Sequence, residues 1–215
     1  MTSSSGSAPR TGADKNQWPL DWGAAGRARQ GESSTGDRGV VVFTPGRAVA
    51  AAVDGLGHGP AASAAAEKAV SVVQRHPRDD VVSLAERCND ELRDSRGVAM
   101  SLAAFDVRKG EMSWLGIGDV EGRLIPAGTF AAGARSLLLR PGVVGDELPA
   151  LAADSVSVRR GDVLVLATDG VASDFGDYLR PSRSCQETAD LILDRYGNPT
   201  DDALVLVARY LGEAS

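Results

Sequence analysis

A chain of 215 residues, 43% hydrophobic and 24% charged, has the composition of an ordinary globular domain, which excludes wholesale disorder. Its 23 basic and 29 acidic side chains leave a net charge of −6 without a basic stripe, so nucleic acid is not an expected partner. No apolar run approaches the roughly 18–20 residues of a membrane span, and two cysteines are too few for a disulfide framework or a zinc cage.

Residues 1–17 are rich in Ser, Gly and Ala and read as a disordered lead-in, with no apolar core of a secretory signal. A reducing, cytoplasmic setting is therefore expected. Residues 18–215 read as one domain. Val40–Phe43 and Arg47–Val53 flank Thr44-Pro45-Gly46 and form a predicted hairpin. The second run has no polar alternation, as expected of a strand covered on both faces. After Asp54-Gly55-Leu56-Gly57-His58-Gly59, Pro60 suits a first helical position for an Ala-rich helix to Val73. A second helix starts at Asp79 or Asp80 and buries Val81, Leu84, Ala85, Cys88 and Leu92.

Strands are predicted at Val98–Phe105, Glu111–Ile117 and Arg123–Pro126, with weaker candidates at Ser136–Leu139 and Ser155–Val158. Val163–Ala167 is a strong buried strand ending at Thr168-Asp169-Gly170. Ser184 through Glu187 has the form of a capping box before a helix facing inward with Ala189, Ile192, Leu193 and Tyr196. Ala203–Tyr210 is the last strand. Strands that are apolar on both sides, joined by hairpins, fit two antiparallel sheets packed together with helices outside.

With two histidines in the chain, carboxylates must carry most of any chemistry. A two-residue Pro45-Gly46 turn would set Asp37 opposite Asp54, with Cβ atoms roughly 4.5–5.5 Å apart. Pro-Gly is not the favoured two-residue hairpin turn, so a one-residue slip is the alternative register. Asp169 ends one strand, while Asp201 and Asp202 precede another. If those strands pair antiparallel, about four carboxylates share one rim, a repulsion that calls for cations. Oxygen-only ligation favours Mg²⁺ or Mn²⁺ over zinc, and a pair of such ions is a standard device for phosphate-ester hydrolysis. Cysteine phosphatase chemistry is excluded, since Asp94 and Leu191 stand six residues after Cys88 and Cys185, where an arginine is required. A dinucleotide fingerprint would need a third glycine where Pro60 stands.

Gly36-Asp37, Asp54 through Gly59, Thr168-Asp169-Gly170 and Asp201-Asp202-Ala203 resemble, in order, the signature blocks of the metal-dependent protein serine/threonine phosphatase (PPM) family, in its SpoIIE-like bacterial branch. Glu86 through Asn89 and Arg96 through Ser101 draw the likeness closer to the RsbX-type phosphatases. The resemblance spans roughly Arg29 to Arg209. It implies a four-layer αββα sandwich with two Mn²⁺ or Mg²⁺ ions at one end. Asp54 would bridge both ions and Gly55 would offer its carbonyl, with Asp37, Asp169 and Asp201 completing the set. Asp54 and Asp37 would be the catalytic ligands, and a metal-bridging water would attack phosphoserine or phosphothreonine. The implied substrate is a phosphorylated STAS-domain protein of a bacterial stressosome or sigma-factor cascade, met by a monomeric enzyme.

Asp119, in Gly118-Asp119 after a strand, is a candidate for a third metal. Asp174 stands one residue beyond the place where the family has a further acid, which here is Ser173. Asp202 and His58 are candidates for supporting positions beside the ligands. Leu204 replaces a common threonine, and Arg27, Arg29 and Arg38 are the nearby candidates for contact with phosphate. Phe130–Val144 is the candidate substrate flap. The competing functions are a catalytically silent module of the same fold that binds a STAS or kinase partner, and a nucleotide-binding enzyme.

Overall fold

The computed structural model describes residues 18–128, 133–178 and 183–213. The lead-in at 1–17 and flap residues 129–132 lie outside the described residues. The strands are β1 (Leu20–Arg27), β2 (Asp37–Thr44), β3 (Arg47–Gly55), β4 (Val98–Asp106), β5 (Glu111–Ile117) and β6 (Glu121–Ile125), followed by β7 (Arg135–Ser136), β8 (Leu139–Arg140), β9 (Asp154–Ser157), β10 (Val163–Ala167) and β11 (Ala203–Tyr210). The helices are α1 (Pro60–Arg75), α2 (Val81–Leu92) and α3 (Cys185–Tyr196). One sheet runs β1-β11-β10-β6-β7 and the other β2-β3-β4-β5-β8, with β9 also on β5. All pairings of these strands are antiparallel except β5 with β8.

The period-2 side-chain alternation of a strand builds the layers directly. In β3, Ala48, Ala50 and Ala52 enter the core between the sheets, while Val49, Ala51 and Val53 enter the core under α1 and α2. In β11, Leu204, Leu206 and Ala208 point to the inter-sheet core, and Ala203, Val205 and Val207 meet α3. The central strands are thus apolar on both faces because each face has its own core. Three cores between four layers give the αββα order.

The hairpin register is the in-phase one: Thr44 pairs with Arg47 across Pro45-Gly46, and Asp37 pairs with Asp54. Pro60 opens α1. Asp80 caps α2, accepting from the Val82 and Ser83 amides. Ser184 and Glu187 form a reciprocal capping box on α3.

Several expectations are corrected. β6 spans Glu121–Ile125 rather than 123–126. The stretch 136–139 is split into β7 and β8, which belong to different sheets, because the strap between them crosses the sandwich edge. β1 escaped sequence reading altogether. Its Gly23 and Gly26 dilute the apolar signal, yet they are what lets it fit: a Cβ on Gly23 would lie 2.4 Å from the Gln186 amide nitrogen of α3.

Gly55 marks where β3 meets α1. A Cβ there would lie 2.1 Å from the Ala62 carbonyl oxygen and 2.7 Å from its carbon. Neither backbone can yield without separating strand from helix. Gly55→Ala is therefore expected to cost about 3 kcal/mol, the upper end for overpacking, read as a lowered midpoint in urea unfolding.

Candidate metal centre

The topology delivers six strand ends to one rim. β2 begins there with Asp37, β3 ends with Asp54-Gly55, and β5 ends two residues before Asp119. From Asp119 the chain crosses to the other sheet through Val120 into β6. There β10 ends two residues before Asp169, and β11 begins after Asp201-Asp202. Antiparallel pairing makes these junctions coincide.

Asp54 is the hub. Its carboxyl lies within 4.8 Å, oxygen to oxygen, of those of Asp119 and Asp169, a group able to hold a cation. It is also within hydrogen-bonding reach of Asp37. Burial, then the charges of Asp37, Asp169 and Asp119, pushes Asp54 up to about 9. Asp37 is only 2% exposed. Burial comes first among the causes that hold it at about 7, against a Thr168 hydrogen bond that lowers it. Asp169 is also raised, by burial and then by Asp119 and Asp201.

Asp37 Oδ2 accepts from the Thr168 hydroxyl at 2.7 Å, but its buried Oδ1 has no hydrogen-bond donor. An orphaned carboxylate oxygen beside a second carboxyl costs free energy unless a proton or a cation satisfies it. The donors here are all carboxylate oxygens, the ligand type that Mg²⁺ and Mn²⁺ accept. The residues present fit such an ion.

Thr168 was overlooked by sequence reading as anything beyond part of a motif. Its hydroxyl donates to Asp37 and accepts from the Leu204 amide at 2.8 Å, joining the two sheets behind the carboxylates. The only sequence signal was a hydroxyl residue directly before the strand-end aspartate. Thr168→Val would leave Asp37 and the Leu204 N–H unpaired. It is expected to destabilise the fold by about 1–3 kcal/mol, whereas Thr168→Ser should hold near wild type in the same denaturation assay.

The adjacent aspartates are now distinguishable. Asp202 is buried and accepts from the Arg29 amide at 2.8 Å and the Gly36 amide at 2.7 Å, anchoring the segment before β2. Asp201 acts on Asp169 by charge and accepts the Asp202 amide. His58 is more than half exposed, lies 3.0 Å from Glu32, and is not part of the gathered group of Asp54, Asp119 and Asp169. Asp174 sits exposed on a 3-10 turn, Ser173–Tyr178, and is not among the gathered carboxylates of the described residues. Arg27 donates to the Gly197 carbonyl. Arg38 is tied to the Thr35 and Asp37 carbonyls, Ser63 and Glu67. Both cysteines are buried, and burial pushes their thiols up to about 12, which leaves no thiolate nucleophile at neutral pH.

Two face-packed sheets flanked by helices, with acids from both sheets meeting at one rim, define the class as that of the metal-dependent serine/threonine phosphatases. The family model described as Stage II sporulation protein E (SpoIIE) matches residues 44–211, and the chain belongs to that family. Phosphoserine phosphatase RsbX of Bacillus subtilis (strain 168) is 24% identical over 190 residues, 87% of this chain and 91% of its own. A structure solved in work on "The bacterial stressosome: a modular system that has been adapted to control secondary messenger signaling" superposes with TM-score 0.80 at 30% identity, covering 88% of this chain and 99% of that one. A crystal structure of RsbX in complex with magnesium matches with TM-score 0.78 at 20% identity, over 89% and 95%.

Proposed function

We propose that this protein hydrolyses phosphoserine or phosphothreonine on a regulatory protein of a bacterial stress-signalling cascade, using two Mn²⁺ or Mg²⁺ ions held at the acidic rim. The single observation that carries the reading is Asp54 set among Asp37, Asp119 and Asp169, with a buried Asp37 oxygen left without a donor. Asp54 would be the ligand shared by the ions, and Asp37, Asp169, Asp201 and the Gly55 carbonyl would hold them with it. Asp119, exposed beside Asp54 and Asp169, would add a further ligand. Bound dications supply charge neutralisation and the activation of water toward phosphorus.

The chain's own residues then have defined tasks. Thr168 fixes the Asp37 carboxyl through Oδ2 and leaves its Oδ1 without a donor. Asp202 holds Gly36 and Arg29, and with them the entry into β2. The glycine-rich turn after Asp54 keeps bulk away from the mouth of the rim.

The likeness to a structure solved in work on the bacterial stressosome supports a phosphorylated STAS-domain protein as the partner class. The enzyme would act as a cytoplasmic monomer built on one phosphatase domain over 18–215. Among the described residues no helix is long and apolar enough to cross a membrane. Turnover of p-nitrophenyl phosphate, and of a phosphorylated STAS protein, is measured with and without Mn²⁺. Metal-dependent release of phosphate is expected; no release together with no metal binding in calorimetry would defeat the reading.

A further inference from the structure

Arg96 stands outside the gathered carboxylates but at the same rim. It immediately precedes β4 at the rim: the Gly97 carbonyl accepts from the Leu56 amide at 3.1 Å, and Val98 pairs with Gly55. Its guanidinium lies over the turn that follows Asp54, where a Cβ on Gly57 would meet Nη1 at 2.8 Å. Gly57 has φ +87°, a conformation that glycine adopts without strain, and its missing side chain makes room for the guanidinium. Gly57 is three residues from Asp54, so its Cα is within about 11 Å of that of Asp54 along the chain.

Arg96 is exposed and has no hydrogen bond or ion pair with any described residue. Of the arginines near the first aspartate, Arg27 and Arg38 have their guanidinium groups engaged by carbonyls and side chains, whereas Arg29 is held through its backbone amide on Asp202 and is therefore the control in the test. Arg123, near the other sheet's edge, is spent on the Ser173 carbonyl and Glu121, and stacks over Phe175. An arginine beside an acidic rim that takes no carboxylate partner keeps its planar fork for an incoming anion. A phosphate monoester carries nearly two negative charges and offers paired oxygens to such a fork.

We propose that Arg96 binds the substrate's phosphate group at the mouth of the acidic rim. The assignment rests on the phosphatase reading above and adds to it the residue that captures the anion. It makes Arg96 a substrate-binding residue: its loss weakens binding of phosphate more than it slows the step that follows.

The test uses the Mn²⁺-loaded full chain as wild type, R96K, R96Q and R29Q. Steady-state kinetics are measured on p-nitrophenyl phosphate and a phosphoserine peptide, with inorganic phosphate as product inhibitor. Calorimetry measures affinities for Mn²⁺ and phosphate, and thermal melts verify folding. R96Q is expected to raise KM and weaken phosphate binding by roughly tenfold to a hundredfold, the worth of charge-assisted hydrogen bonds. Its kcat should fall far less, with Mn²⁺ affinity and melting temperature unchanged, and R96K should recover part of the loss. Equal KM and equal phosphate affinity in R96Q would overturn the proposal, as would R29Q producing the effect in its place. A loss of Mn²⁺ affinity in R96Q would also overturn it, by making Arg96 a support of the metal loop. A wild type that turns over neither substrate removes the phosphatase reading itself, and the role of Arg96 with it.

Discussion

Replacing Asp54 by Asn is expected to abolish turnover and at the same time to raise the melting temperature of the metal-free protein. The two effects have one origin. Asp54 feels the charges of Asp37, Asp169 and Asp119 together, and burial and repulsion already hold it up to about 9. Asparagine keeps the shape, removes the charge, and offers an amide N–H to the orphaned Oδ1 of Asp37. The metal-free fold therefore gains. A neutral amide is a poor ligand for a hard dication. Since losing even a group that supports a ligand costs up to about 100-fold in metal affinity or activity, losing the shared ligand should cost more than that. Melting curves in chelator and phosphate release with Mn²⁺ read the two effects separately. A variant with normal turnover and a lower melting temperature would make Asp54 an ordinary strand-end residue.

The second large effect is on stability against pH. The folded-state values of Asp37 and Asp54, about 7 and about 9, both lie above the ordinary 3.8. Between about pH 4 and about pH 9 the folded protein therefore holds more protons than the unfolded chain. By linkage, stability is fully present below the ordinary carboxylate range and is lost as pH rises through that window. Each unit of displacement is worth about 1.4 kcal/mol, so the metal-free protein should lose several kcal/mol on going from pH 5 to pH 9. Metal reverses the trend, because it binds the folded form and is favoured by deprotonated ligands. At a hundredfold excess over Kd, one site returns about 2.7 kcal/mol. Thermal melts in chelator should fall with rising pH, and melts in Mn²⁺ should hold level or rise. Superimposable curves would mean that the acidic rim takes no ion.

The layers and the rim were legible because both are written in local patterns. The even and odd residues of β3 from Ala48 to Val53 are all apolar, and each set has its own core to fill, so a covered strand was readable. A two-residue turn fixes pairing arithmetic, so Asp37 opposite Asp54 was readable too. β1 was not, because its identity as a strand comes from pairing with β11 and from lying under α3, both distant in sequence. The same holds for Asp119. Its sequence context is only a glycine and an acid after a strand, and what brings it to Asp54 is the β5-to-β6 crossover between sheets. Asp202 and Asp201 were separable only once the Gly36 and Arg29 amides were seen on Asp202. Arg96 opens one of the blocks that carry the family likeness, but its place was not readable, since it depends on a backbone turn 39 positions earlier in the chain having no side chain. Local periodicity gives elements and their faces; convergence of side chains from separate elements requires the assembled fold.

The most direct measurement is a calorimetric titration of Mn²⁺ into the metal-free protein, repeated near pH 7 in two buffers of different ionisation enthalpy. If burial and crowding keep protons on this rim until dications displace them, the titration will show two ions bound per chain. The heats in the two buffers will differ by the protons released. Absence of binding, or binding with identical heats in both buffers, would contradict the account.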